Sequence, residues 1–153
     1  MRQLDPHTFE LDVPANVTFG GLFEACKFNM VHPSINEVNF PLSKLGHRRS
    51  ILKIFDVPLS FAEEGMPVLL NYNRWRPTTT EEVLLFCGAI GDTKEVYPLV
   101  MTGPCWNRPA LDVRAYLTPE LLGPVRRLDL TFMNPGRKFW DKQWKFVAAR
   151  LDG

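Results

Sequence analysis

The stretch Arg126-Arg127-Leu128-Asp129-Leu130-Thr131-Phe132 alternates charged or polar side chains with apolar ones. A period of two is typical of a β-strand that buries one of its faces. The segment Asn134-Pro135-Gly136 then interrupts the alternation, because these residue types favour turns. The stretch therefore predicts a strand that ends in a turn, and this strand determines how the last thirty residues, 124–153, are arranged.

A helical periodicity follows that turn. Within residues 137–151, one stripe of a helix would carry the apolar side chains Trp140, Trp144, Val147 and Leu151. Asn134 is suited to cap this helix, and Pro135 is suited to its first position. A strand over residues 143–151 also fits the sequence. We favour the helix and keep the strand as the alternative.

The last thirty residues are also basic, with seven basic and three acidic side chains on a chain whose net charge is only +1. Lysine and arginine side chains that point outward together bind anionic surfaces, such as lipid headgroups or nucleic-acid phosphates. We expect a site that binds an anionic membrane or RNA at Arg126, Arg127, Arg137, Lys138, Lys142 and Lys145.

The composition indicates an ordinary globular chain. Its 153 residues, 45% of them hydrophobic and 23% charged, amount to one domain, which we assign to residues 1–153. No window approaches the roughly 20 apolar residues of a membrane span, and the N-terminus does not resemble a signal peptide. Cys26, Cys87 and Cys105 are widely spaced and odd in number. We therefore expect reduced thiols and an intracellular location, either cytoplasmic or virion-associated.

Thirteen prolines divide the chain into short elements, which favours strands over long helices. One short helix is predicted after Thr18, which can cap it. Further strands are predicted at residues 8–13, 51–57, 68–72, 82–87, 96–102 and 110–117. The strands at 82–87 and 96–102 are expected to pair as a hairpin. Residues 118–120 are expected to form a single helical turn.

The sequence contains no motif of a zinc site, a phosphate-binding glycine loop or an activated nucleophile. Its adjacent acidic pairs are Glu63-Glu64 and Glu81-Glu82. Neighbouring residues of a strand point to opposite faces, so these pairs are poorly placed to act together in catalysis. We therefore expect a protein that is not an enzyme and that has no metal or cofactor.

Four short basic clusters lie along the chain, at His47-Arg48-Arg49, Arg74-Trp75-Arg76, Arg126-Arg127 and Arg137-Lys138. They are either solvated loop charges beside core tryptophans or parts of contact surfaces. Tryptophan surrounded by arginine is typical of an interface anchor. We expect an interface for self-association at Arg74, Trp75, Arg76, Trp106 and Arg108.

The order of features resembles that of rhabdovirus-type matrix proteins. The features are a strand at 9–13, a small-residue helix at 19–28, a hydrophobic strand at 83–86, a Pro/Cys-rich connection at 103–109, a strand at 128–132 and a hydrophobic stretch at 146–151. The Pro-Pro-x-Tyr motif and the lysine-rich N-terminal tail of that family do not occur in the sequence. The resemblance implies a structural protein that self-associates, contacts a nucleocapsid and lies against a membrane.

Together these patterns predict an α+β domain, in which two short helices pack on an antiparallel sheet of about five to seven strands. The expected function is that of a viral structural protein of matrix type, whose partners are itself, nucleocapsid or RNA, and an anionic membrane. Two alternatives stay open. One is another virion component, such as a capsid, decoration or tail β-sandwich protein. The other is a small hydrolase or ligand-binding β-fold, which a deep pocket with a strongly perturbed acid or base would favour.

Overall fold

A computed structural model describes residues 1–43, 45–56, 74–91, 93, 97, 99–101, 103, 105–108, 113–133 and 145–150. These residues form two helices and ten strands. The strands are β1 (Arg2–Asp5), β2 (Thr8–Val13), β3 (Met30–Val31), β4 (Arg48–Asp56), β5 (Trp75–Pro77), β6 (Leu99–Met101), β7 (Cys105–Arg108), β8 (Val113–Leu122), β9 (Val125–Met133) and β10 (Lys145–Arg150). The helices are α1 (Phe19–Cys26) and α2 (Thr80–Ile90).

The described strands form a six-stranded sheet A and a four-stranded sheet B. Sheet A has the order β1-β2-β4-β10-β5, and β6 also pairs with β10. Sheet B has the order β3-β9-β8-β7. All pairings are antiparallel except β6 with β10 and β3 with β9. The predicted α+β class, with two short helices, is confirmed, and the described strands are divided between two sheets.

Strand β10 lies in the middle of sheet A. It pairs with β4 on one side, and with β6 and then β5 on the other. Residues 146–149 are all buried, so both faces of the strand are covered and its apolar residues do not alternate. The helix predicted for 137–151 is therefore wrong at 145–150, where the alternative strand is confirmed. The other residues of that segment lie outside the described part of the chain.

Helix α2 occupies residues for which a strand was predicted. The hairpin of 82–87 with 96–102 is wrong, because residues 80–90 are helical and β6 pairs with β10 instead. Helix α2 packs against both α1 and β2. Eight of its eleven residues are buried, so its apolar side chains show no simple helical stripe.

Several other predictions are confirmed. Strands β2, β4 and β9 lie at or near the predicted strands at 8–13, 51–57 and 126–132. Helix α1 begins after Thr18, whose hydroxyl accepts a hydrogen bond from the backbone N–H of Gly21 at 3.1 Å. The local alternation and the cap were therefore sufficient to find these elements.

Strands β6 and β8 overlap the strands predicted at 96–102 and 110–117, and the remaining predictions differ from the structure or fall outside it. Strand β8 continues through Pro119 to Leu122, so the helical turn predicted at 118–120 is wrong. Strands β1, β3, β5 and β7 were not predicted, and β7 lies within the expected Pro/Cys-rich connection. The strand predicted at 68–72 lies outside the described residues.

The hydrophobic core lies where sheet A meets the two helices. Phe86 of α2 is fully buried, and its ring packs edge-on against Phe9 of β2 with ring centroids 5.3 Å apart. Leu52 of β4 and Val147 of β10 belong to the same core. Strand β6 lies against β8, which joins sheet B to this core. Helix α2 is therefore the element around which the core is built.

We predict that Phe86→Ala lowers the free energy of unfolding by about 3–5 kcal/mol, because it leaves a cavity against Phe9 in a packed core. Urea unfolding measures the effect. Val38→Ala is the control, since Val38 is 89% exposed and its truncation should change stability by less than about 0.5 kcal/mol. Equal effects for the two variants would show that α2 is not in the core.

Candidate functional site

The first turn of α2 carries a buried acidic pair, Glu81 and Glu82, which are 2% and 0% exposed. Thr79 is the N-cap, and its hydroxyl accepts from the backbone N–H of Glu82 at 3.3 Å. The Glu82 carboxylate in turn accepts from the backbone N–H of Thr79 at 2.9 Å, which completes a capping box. The sequence prediction placed this pair on opposite faces of a strand, and it is wrong because both residues are helical.

Glu82 is held by side chains from two strands and by the backbone of the N-cap residue Thr79. Its two oxygens accept from the guanidinium of Arg76 in β5 at 2.9 and 2.8 Å, and a second contact comes from the hydroxyl of Ser50 in β4. Burial alone would raise the pKa of Glu82, but these hydrogen bonds, with that of Thr79, lower it to about 2. Glu82 is therefore an anion at every physiological pH.

Glu81 is held by the loop before β4. It accepts from the backbone N–H of Ser43 at 3.1 and 3.2 Å and from the Ser43 hydroxyl at 2.5 Å. Burial opposes ionisation, but the hydrogen bonds from Ser43 lower the pKa of Glu81. Arg48 of β4 lies 3.9 Å from Glu81 and 3.7 Å from Glu82, and it donates to the Thr79 hydroxyl at 3.1 Å. Two carboxylates thus face two guanidinium groups, and their formal charges cancel.

A cavity of about 230 Å³ lies beside this network, in front of the N-terminus of α2. It is lined by residues 39–41, Ser43, residues 78–80 and Gly103. Thr78 is 4% exposed, and its hydroxyl has no hydrogen-bond partner among the described residues. Gly103 has no room for a side chain, because the carbonyl oxygen of Thr78 fills the space that a Cβ would need. The cavity therefore has polar walls that are held in place by close packing.

Arg126, predicted to bind anions, makes contacts inside the protein instead. Its guanidinium donates to the carbonyl oxygen of Cys26 at 2.6 Å and to that of Cys87 at 2.9 Å. It also lies over the ring of Phe28, 4.9 Å from the centroid. Both carbonyls belong to the C-terminal turns of helices, where a positive charge is favourable. Arg126 is therefore engaged inside the fold, and its anion-binding role stays a prediction.

Of the other predicted anion-binding residues, Arg127 and Lys145 belong to the part of the chain that the structure describes. Arg127 donates to Glu120 of the neighbouring strand at 2.6 Å and lies 3.6 Å from Asp129, so it too is used internally. Lys145 begins β10 in sheet A, whereas Arg126 and Arg127 belong to β9 in sheet B. Arg137, Lys138 and Lys142 lie outside the described residues.

The predicted interface residues are partly used inside the fold. The Trp75 ring packs edge-on against Phe55 with centroids 5.5 Å apart, and Trp106 packs against the core. Arg76 is the bidentate partner of Glu82. Arg74 is exposed, and of Arg108 the structure describes only the backbone, in β7. The interface role of Arg74 and Arg108 stays a prediction, whereas Trp75, Trp106 and Arg76 have contacts within the chain.

Two cysteines are buried beside the ends of the helices. Cys26 and Cys87 form no disulfide in the described part of the chain, and their reduced state in solution stays a prediction. Burial raises the pKa of Cys26 to about 11 and raises that of Cys87 well above its usual value. Both are therefore unreactive thiols at neutral pH. The side chain of Cys105 is not among those described, and the described residues contain no group of three possible metal ligands.

Comparison of the chain with protein-family models, with curated proteins and with solved structures finds no match in any of the three. Neither helix in the described part of the chain is long and apolar enough to cross a membrane. The function is therefore inferred from the geometry above.

We predict that Glu82→Gln removes a large part of the loss of stability at acid pH. Because the folded-state pKa of Glu82 is lowered to about 2, its contribution is complete above about pH 4.5 and is lost as the pH falls towards 2. A pKa shift of this size corresponds to roughly 3 kcal/mol in the free energy of unfolding. Urea unfolding between neutral and acid pH measures it. The control Glu24→Gln, at an exposed residue, should keep the pH dependence of the parent chain.

We also predict that Arg126→Met lowers the free energy of unfolding by about 2–4 kcal/mol, because two buried carbonyl oxygens lose a charged donor. Thermal or urea unfolding measures the change. Arg49→Met, at an exposed residue, is the matched control and should be nearly neutral. If Arg126→Met is as stable as the parent chain but binds RNA or anionic vesicles more weakly, Arg126 binds anions at the surface as the sequence predicted.

Proposed function

We propose that the protein is a self-associating structural protein, of the kind that the resemblance to rhabdovirus-type matrix proteins implies, and that its copies join through strand β1. The observation that carries this proposal is the outer edge of sheet A. Strand β1 pairs with β2 on one side, and on the other side no described strand pairs with it. All four of its side chains are exposed. Its outer backbone groups are therefore free to bond to another strand.

The sequence of β1 is complementary to itself. The irregularity between Gln3 and Asp5 puts Arg2 and Asp5 on the same face of β1, opposite Glu10 and Thr8 of β2. If two copies pair antiparallel about a two-fold axis, Arg2 of each can therefore lie opposite Asp5 of the other. Asp5 is held as an anion, because a hydrogen bond from the backbone N–H of His7 lowers its pKa. Opposite charges across a strand pair are stabilising and like charges are not. The arrangement therefore favours a second copy of this chain over an unrelated strand.

Association through β1 alone is expected to be weak. Strand β1 is short, charged and irregular between Gln3 and Asp5, and these features discourage indiscriminate pairing of edge strands. A four-residue strand buries less than the roughly 1,000 Å² of a stable interface. We expect association that grows with concentration, as in a protein that assembles only where it is locally abundant.

The proposed contacts with a nucleocapsid, RNA or anionic membrane have a narrower basis. Arg126 and Arg127 contribute to internal contacts, so they do not support such a surface. The proposal for these partners depends on Arg137, Lys138 and Lys142 of the C-terminal segment, together with the resemblance.

A second candidate function is ligand binding, which the cavity in front of α2 favours. The perturbed acid beside it is Glu82, whose pKa is lowered. A carboxylate that stays ionised and fully bonded fixes a wall of a site but does not donate a proton. Of the alternative functions, a small hydrolase or a ligand-binding β-fold, this geometry therefore supports the ligand-binding protein more than the hydrolase.

A charge exchange tests self-association through β1. We predict that Arg2→Asp and Asp5→Arg each weaken association by roughly tenfold or more, because two like-charge pairs replace two attractive ones. The double variant, with both substitutions, should recover association, since the opposite charges are restored in reversed order. Sedimentation equilibrium over a wide concentration range at low salt measures this.

The control for the charge exchange is Asp12→Arg, which makes the same substitution at an exposed residue of β2. It should leave association unchanged. A chain that stays monomeric at every concentration, or a double variant that is no better than the single variants, would exclude β1 as the contact.

A further inference from the structure

Strand β4 presents basic and apolar side chains together on one side of sheet A. Every second residue of β4 is buried against the core, and the residues between them lie on the opposite, more exposed side, which we call the outer face. These outer-face residues of β4 are Arg49, Ile51, Lys53 and Phe55. They form a row in which cations and apolar groups alternate over roughly 20 Å.

Trp75 of β5 extends this row on the far side of β10. Its neighbour Arg76 turns to the core side to bond to Glu82, so Trp75 lies on the outer face. The Trp75 ring packs edge-on against Phe55, which occupies at most one face of the indole, and the ring stays partly exposed. The ammonium of Lys53 lies 5.2 Å from the Phe55 centroid. Aromatic rings and a cation therefore share the same part of the outer face.

Another part of the outer face is closed. Phe146 of β10 stacks on Phe55 with ring centroids 5.0 Å apart, but it is only 1% exposed, and Ala148 is 0% exposed. Neither residue can touch a partner. The accessible part of the outer face is therefore β4, with Trp75 at its border.

The accessible part carries a surplus of positive charge. The carboxylates on the same face are Glu10 and Asp12 of β2, which lie 3.2 Å from Arg2 and 3.0 Å from His47 respectively. Three cations on or beside the outer face have no ion-pair partner in the described part of the chain, namely Arg49, Lys53 and Arg74. These three charges are available to an anionic partner.

A single strand of nucleic acid fits cations that are interleaved with a partly exposed aromatic ring. The cations bind its phosphates, and the ring stacks on a base, which is accessible where the base is unpaired. A layer of lipid headgroups would engage the charges, but it offers no planar group to stack on an indole.

We propose that the outer face of sheet A binds single-stranded nucleic acid. Arg49, Lys53 and Arg74 bind phosphates, and Trp75 stacks on a base while Phe55 holds the indole in place. This gives a nucleic-acid partner a surface that is separate from the C-terminal segment, and it does not depend on association through β1.

The test is fluorescence anisotropy of short labelled single strands, as RNA and as DNA, titrated with the full chain at low salt. Duplex RNA and phosphatidylserine vesicles are the comparison probes. We expect saturable binding of single strands that weakens as salt rises, and weaker binding of the duplex. Replacing Arg49, Lys53 and Arg74 together by Gln should reduce the slope of log affinity against log salt by about 2. Trp75→Leu should weaken binding about tenfold without changing that slope.

Lys27→Gln is the matched control, because Lys27 is an exposed cation at the end of α1, outside sheet A. It should bind single strands as the parent chain does. Melting temperatures are measured for every variant, since Trp75 packs on Phe55 and its loss affects the fold. Arg49→Gln and Arg74→Gln, at exposed residues, should keep the parent melting temperature and each weaken binding severalfold, so they decide the proposal if Trp75→Leu does not fold.

Four results would each overturn the proposal. Neither single strand binds saturably, or vesicles bind and the single strands do not. The duplex binds as tightly as the single strands, which excludes a stacked base. The triple variant binds as the parent chain does, or Lys27→Gln weakens binding as much as Arg49→Gln.

Discussion

The fold depends on one buried carboxylate, that of Glu82. A charge removed from water is costly unless opposite charge and hydrogen bonds replace the lost solvation. At Glu82 the replacements come from Arg76 in β5, Ser50 in β4 and the backbone of Thr79. Full compensation needs all of these groups in place, because each one that is missing leaves part of the buried charge without a hydrogen bond. The start of α2 is thereby fixed to sheet A in a single position.

The opposite end of α2 is fixed by a charge of the opposite sign. The guanidinium of Arg126 in β9 donates to the carbonyl oxygens of Cys87 in α2 and Cys26 in α1. One side chain thus bonds to the C-terminal turns of both helices. Sheet A therefore holds the N-terminus of α2, and sheet B holds its C-terminal turn. Each interaction also agrees with the dipole of the helix, which favours anions at the start and cations at the end. Helix α2 connects the two sheets through electrostatics as well as through its apolar side chains.

Local patterns in the sequence were sufficient for some elements and not for others. Strands β2 and β9 alternate because one face is more buried than the other, and Thr18 caps α1 through a bond to a neighbour three residues away. Strand β10 and helix α2 are buried on nearly all sides, so their apolar runs are compatible with a helix and with a strand. The capping box at Thr79 and Glu82 was the available signal for α2. Nothing local shows that Arg126 bonds to Cys26, because the two residues are separated by 100 positions.

The network that fixes α2 also explains why the cavity keeps its shape. Ser43 reaches Glu81, and Arg48 reaches Thr79, so two walls of the cavity are tied to the same acidic pair. Edge strand β1 has no bond to this pair, and its side chains are exposed. A change that loosens the acidic pair should disturb ligand binding first, whereas a change in salt should disturb association through β1 first, since exposed charges are screened and buried ones are not. The proposed ligand binding and the proposed self-association should therefore respond to different perturbations.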